Sequence, residues 1–257
     1  MSRRIGTLPS PETRPQTEWQ GMPGGRAGVR PHAPAALQHE LGGIRQLVVL
    51  MGEAVDRAIT RAVCGLVDRD VDVCSGVIAQ SSRLHMLQGE LRRLCLSTVL
   101  ERDPSPSGRR EAVALLHIAA ELERAGDHCA AIARLGHELA RLPEPGADPG
   151  LIRMAEFCSE QVREVLMAVS ARDPRRARAL AVRDDRLERL CRRLLERLAE
   201  TVGAEPGSVP RATRVLTAAR LLERIADRVV IIAEDLVLVD ADMVELPGLH
   251  AEAVTGR

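Results

Sequence analysis

Two stretches of this chain carry acidic side chains at a spacing that can do chemistry. Glu123 and Asp127 lie four residues apart in Leu122-Glu123-Arg124-Ala125-Gly126-Asp127. Glu223 and Asp227 repeat the pattern one hundred positions later, in Leu222-Glu223-Arg224-Ile225-Ala226-Asp227. Asp184 and Glu188 form a third pair with the same step. Residues four apart on a helix are neighbours on one face, and like charges so placed cost about 0.2–0.5 kcal/mol per pair. Two such pairs on adjoining helices gather four carboxylates, and hard cations take oxygen ligands. The chemistry on offer is therefore metal binding by Asp184, Glu188, Glu223 and Asp227. The competing reading is a solvated face of ion pairs: Arg220 with Glu223, Arg224 with Asp227, and Arg124 with Asp127. Such pairs contribute about 0–1 kcal/mol each.

Other reactive side chains lack a pattern. The six cysteines (Cys64, Cys74, Cys95, Cys129, Cys158 and Cys191) are scattered without a Cys-x-x-Cys pair. They read as small buried hydrophobes in a reducing cytoplasm rather than as zinc ligands or disulfides. His85, His117, His128 and His137 fall in the expected second and third helices, but no Glu-x-x-His pair of the di-iron kind occurs. Phosphate-cradling glycine loops, Gly-x-Ser-x-Gly, and a nucleophile beside a base are all missing. The motifs give no support to an enzyme.

The elements that must position the carboxylates are helices. The chain has 257 residues with one Trp, one Phe and no Tyr. Sheets draw on aromatic and β-branched residues, so this composition disfavours strands, while Leu, Ala, Arg and Glu favour helix. The doubled signature marks a tandem duplication. Apolar residues at three- and four-residue steps, from Leu37 to Ile59, predict a first helix over 36–67. Further helices are expected over 71–100, 109–141, 149–170, 173–202 and 210–239. Asp70, Asp148 and Asp173 stand at three starts as capping residues. The second helices align at an offset of 103, so Ser81 and His85 occupy the places of Asp184 and Glu188. Wheel geometry at about 100° per residue sets Leu122 and Leu222 inward, with the Glu and Asp of each signature on the flank. Gly126 and Ala226 are small enough for close helix packing. The expected fold is all-α, two antiparallel three-helix bundles end to end, over 35–142 and 148–240. A Pro/Gly/Arg-rich segment at 1–34 reads as a disordered tail, and 241–257 as a frayed terminus.

Acidic and basic residues balance at 36 each, which disfavours nucleic-acid binding. No run approaches the roughly 20 apolar residues of a membrane span, and no signal peptide is evident.

Leu-Glu-Arg-x-(Gly/Ala)-Asp occurring twice, each followed by Ile-Ala, resembles the PhoU family of bacterial phosphate-signalling proteins. Leu50-Met51-Gly52 with Val55, and Arg110, are similar to the family's openings of its first and third helices. The resemblance covers about residues 36–240. It implies a negative regulator of the phosphate-starvation response, coupling a phosphate ABC transporter to a sensor histidine kinase. It implies a cytoplasmic location, membrane contact only through partners, and room for a homo-oligomer. It also implies iron or zinc at Glu123 with Asp127 and at Glu223 with Asp227. The first repeat departs from that pattern, because Ser81 and His85, with Gln88 nearby, replace an acidic pair. The expectation is that any metal prefers the second repeat. Two alternatives stand beside this reading: a helical carboxylate-metal enzyme, and a metal-free structural scaffold.

Overall fold

The computed structural model describes residues 34–101, 105–142, 148–181 and 185–240. The expected tails, the connector 143–147 and Asp184 lie outside them. The described part of 34–240 belongs to one compact unit. The described residues form α1 (Pro34–Asp68), α2 (Val71–Glu101), α3 (Pro106–Leu139), α4 (Gly150–Ala171), α5 (Pro174–Ala181), α6 (Arg186–Ala204) and α7 (Val209–Asp240). A 3-10 turn at Pro206–Ser208 precedes α7.

Starts and stops follow local chemistry. Asp70 Oδ1 accepts the Val73 N–H at 2.9 Å, and Asp173 Oδ1 accepts those of Arg175 and Arg176 at 3.0 and 3.1 Å. Each carboxylate satisfies donors that a helix start leaves orphaned. The preceding helices end on Arg69 and Arg172, which adopt left-handed backbone (φ 59° and 52°). α3 begins earlier than the expected 109, because Ser105 Oγ accepts the Gly108 N–H and Pro106 sits at the first helical position. It also ends earlier than 141: the Arg69 guanidinium donates to the carbonyls of Leu139 and Leu142. The single helix expected over 173–202 is instead α5 and α6. Asp185 at the start of α6 has ψ near zero, and aspartates favour helix beginnings over interiors.

Each repeat is a three-helix bundle, α1–α3 and then α4 with α5–α6 and α7. The bundles are not end to end. They lie side by side, with α1 against α4 and α3 against α7. Asp56 pairs with Arg163 at 3.1 Å, and Thr60 Oγ1 lies 3.4 Å from Ser159 Oγ. At the register of 103, these two contacts exchange places, the mark of a pseudo-twofold relation between repeats. Across the other seam Glu138 meets Arg214 at 2.8 Å and Asp235 meets His117 at 2.6 Å, so α3 and α7 run antiparallel. Lateral packing wins because each repeat would otherwise leave an apolar stripe in water, at roughly 25 cal/mol per Å². Ala119, Cys129, Cys158, Ala218 and Ile225 are all buried within one continuous core.

Candidate functional site

In the first repeat the signature carboxylates face α2. Ser81 Oγ donates to Asp127 Oδ1 at 2.8 Å, and His85 Nδ1 lies 2.7 Å from Glu123 Oε1. The offset of 103 thus names the right residues on the right helix. Packing beneath them is tight: a Cβ at Gly126 would overlap Leu84 Cδ1, so a larger residue there would make the tip of that leucine turn aside. Leu115, Ile118, Leu122, Cys129 and Ala133 are buried, as the wheel requires. The hydrogen bond that Glu123 accepts from the imidazole, then its charge, raises the His85 pKa above its ordinary value.

In the second repeat the carboxylates turn to arginines. Glu188 pairs with Arg192 at 3.3 Å, and Glu223 with Arg220 at 2.8 Å. Asp227 is exposed. Cys191, at the place of Gln88, is 4% exposed beside Glu223, and burial followed by the Glu223 hydrogen bond pushes its thiol up to about 11. Of the three ion pairs weighed in the sequence, Arg220–Glu223 forms, whereas Arg124 turns to Glu121.

These donors bear on whether a metal fits. Among the described residues, no group of three or more His, Cys, Asp or Glu side chains could hold an ion. The first repeat offers two carboxylates, both already engaged by Ser81 and His85. In the second, Glu188, Glu223 and Asp227 would need Asp184, which lies outside the described residues. The described donors alone do not fit iron or zinc.

Two polar clusters escaped the sequence reading. Glu121 is 1% exposed in the α3–α7 seam, where it accepts from Arg124 on its own helix and from Arg228 at 3.1 Å. His117 bridges Glu121 at 3.6 Å and Asp235 at 2.6 Å. Burial raises the Asp235 pKa despite its bond to His117. Burial and the charges of Arg228 and Arg224 lower that of His128. The signal was available: Glu121 falls on the stripe of Ile118, Leu122 and Ala125, where a charge needs a partner. The second cluster joins the repeats at one end. Glu111 on α3 accepts from Arg45 on α1 and from Arg172 at the end of α4. A cavity of about 190 Å³ opens there, with Leu115, Leu236 and Val239 in its wall.

Comparison with known proteins agrees with this architecture. The family model for the PhoU domain matches twice, over residues 48–136 and 151–236. The "Phosphate-specific transport system accessory protein PhoU homolog" of Zymomonas mobilis is 29% identical over 203 residues, covering 79% of this chain and 86% of the relative. Its namesake from Rhizobium meliloti is 28% identical over 214 residues, covering 80% and 87%. In fold, the chain resembles the crystal structure of PhoU from Pseudomonas aeruginosa, with a TM-score of 0.74 at 24% identity, covering 80% of this chain and 99% of that one. It also resembles the phosphate transport system regulatory protein PhoU from Streptococcus pneumoniae, with a TM-score of 0.71 at 23% identity, covering 83% and 100%. With both bundles matched and one copy of the signature inside each match, the chain belongs to the PhoU family.

Proposed function

We propose that the protein is an accessory regulator of a phosphate-specific transport system, acting as a non-catalytic adaptor. The observation that carries this reading is the pair of PhoU-domain matches, one on each bundle, together with relatives named as accessory proteins of phosphate transport. The adaptor couples a phosphate ABC transporter to a sensor histidine kinase and restrains the starvation response when phosphate is plentiful. It works from the cytoplasmic side and meets the membrane beside its partners. No described helix is long and apolar enough to cross a membrane.

The geometry suits an adaptor. Glu123 and Asp127 are tied to α2, and Glu188 and Glu223 to arginines, so these carboxylates shape surfaces. The two bundles share seams along α1–α4 and α3–α7, which makes the molecule a single body able to present one face to each partner. Deleting the gene in phosphate-rich medium is the test. Derepression of phosphate-uptake genes is expected, and removing the sensor kinase as well should abolish it. Unchanged expression in the single deletion would defeat the proposal.

A further inference from the structure

The duplication lets the ends of α3 and α7 be compared, and they are finished differently. Near the end of α3, Gly136 lies against α1: a Cβ there would come within 3.1 Å of Leu66 Cα. Past the helix the chain turns back. The Leu142 N–H donates to the Leu139 carbonyl at 3.1 Å, and the Leu142 side chain packs against the core. Arg69, in left-handed backbone just past α1, donates to the carbonyls of both leucines. Carbonyls that a helix end leaves without partners are satisfied in this way.

Near the end of α7 the matching positions hold Leu236 and Val239, and the matching arginine is Arg172. A leucine cannot admit the backbone of α4 as Gly136 admits that of α1. Leu236 and Val239 instead line the cavity of about 190 Å³, together with Leu115 and Val169. Arg172 shares the left-handed backbone of Arg69, yet its guanidinium turns to Glu111 and Gln38. Val113 and Leu238, each next in sequence to a lining residue, are 57% and 66% exposed. Their counterparts at the other end are Thr213 and Glu138, so the fold itself does not ask for apolar residues there.

The chemistry of the cavity selects its occupant. The charged groups in its wall cancel, Arg45 and Arg172 against Glu111 and Asp173. Both acids are already engaged, Glu111 by the two arginines and Asp173 by the N–H groups of Arg175 and Arg176. The wall therefore offers no net charge to an ion. The remaining surface is apolar, and an apolar cavity of about 150 Å³ already holds a benzene-sized group. The sequence that continues α7 carries apolar side chains of that size at Met243, Val244 and Leu246. Met243 follows Val239 much as Leu142 follows Leu139. We propose that the segment after α7 turns back over this end and seats Met243 in the cavity, with Val244 and Leu246 over Val113 and Leu238. This strap does for the second repeat what Leu142 does for the first, and it stands in place of the frayed terminus expected from the sequence. It does not depend on the transport reading.

Methyl NMR of the full-length protein tests it. The Met243 methyl, identified by its loss in Met243→Ala, should show nuclear Overhauser contacts to Leu115 and Val169. A Met243 methyl at the shift of a solvated side chain, without those contacts, would overturn the proposal. Filling the cavity from its own wall gives the converse. Ala114 lines it, and Ala114→Leu should drive the Met243 methyl to the solvated position. A methyl left unmoved by that change would show Met243 bound elsewhere, and the proposal would fall. If Ala114→Leu folds poorly by circular dichroism, the double variant Met243→Asp/Leu246→Asp takes its place. Hydrogen exchange at the amides of Leu236 and Val239 should then quicken by roughly tenfold, because the end of α7 loses its cover. Unchanged protection there would sink the idea. The contacts of the parent should also persist on dilution. Their loss would give the cavity to a second copy of the chain and overturn the proposal.

Discussion

α2 and α5–α6 occupy one place in two copies of the same bundle, and they have diverged by side. Toward the core, apolar residue answers apolar residue. Toward water, α2 shows Met86 and Leu100 at 67% and 78% exposure, whereas α5–α6 shows a mixed charged face, with Arg186, Arg189 and Arg193 beside Glu196 and Glu200. The boundary between these faces is where the signature carboxylates lie. There the first repeat offers Ser81 and His85, and the second offers Glu188 and Cys191. The difference teaches which constraints are structural. Packing fixes the inner face in both copies, since any change of volume is felt in a close-packed interior. The outer faces and the boundary are released from that constraint, so partner chemistry can differ between repeats on an unchanged frame.

The sharpest way to break this comparison is at a position that violates it. Glu121 is buried, yet its counterpart is Leu221. If the frame truly tolerates either, Glu121→Leu should cost little. We expect the opposite: about 2–4 kcal/mol of stability lost, because the partly buried Arg228 would keep its charge without the carboxylate. At roughly 2–4 °C per kcal/mol for a chain of this size, the fall is visible in a thermal melt. Pairing Glu121→Leu with Arg228→Met should recover most of it, since a buried ion pair can be replaced by apolar groups at little cost. A neutral single variant would show that the seam charge has no structural role.

A smaller effect separates Gly126 from Ala226. Valine at position 126 would meet Leu84 beneath the first-repeat pair, and overpacking of this kind costs about 1–3 kcal/mol. Ala226 is only partly buried, so valine there should cost less. Urea denaturation of the two variants reports both values. Equal midpoints would mean that the close approach at Gly126 is not specific to the first repeat.

The sequence made the frame legible because two signals reinforced each other. Helical periodicity gave six segments, and the duplicated signature fixed how the halves align. The capping aspartates Asp70 and Asp173 and the meeting of Ser81 and His85 with Asp127 and Glu123 followed from that alignment. What the sequence hid was three-dimensional. Nothing in a linear pattern says that α3 packs against α7, so the burial of Glu121 in their seam, and its pairing with Arg228, does not follow from the sequence. The same blindness turned lateral bundles into bundles end to end. The break between α5 and α6 was missed because the apolar period runs on unbroken through Leu180, Leu187 and Leu194. Arg45, Glu111 and Arg172 were missed because their meeting depends on the ends of three separate helices.

At the first-repeat boundary, His85 answers to pH. The folded pKa of His85 is raised by Glu123, so the His85–Glu123 pair stabilises the protein fully below the ordinary imidazole value of about 6.5. That contribution is lost as pH climbs through the raised value. The difference in melting temperature between the parent and His85→Gln should therefore be largest in mild acid and vanish in mild alkali. An NMR titration should place His85 above its ordinary value, and Glu123→Gln should bring it back. A His85 titration that ignores Glu123→Gln would detach the imidazole from the signature.

The finest distinction is in metal preference. In the first repeat, Glu123 and Asp127 are held by an imidazole and a hydroxyl that a cation would have to displace, and only two carboxylates are present. In the second, Glu223 is held by Arg220, whose side chain is 63% exposed and easily swung into water, and Asp227 lies one turn further along the same helix. Iron or zinc offered to the protein should thus favour the second repeat. After equilibrium dialysis, Glu223→Ala/Asp227→Ala protein should retain less metal than Glu123→Ala/Asp127→Ala protein. Equal retention would erase the distinction between the two boundaries, and greater loss from the first repeat would reverse it.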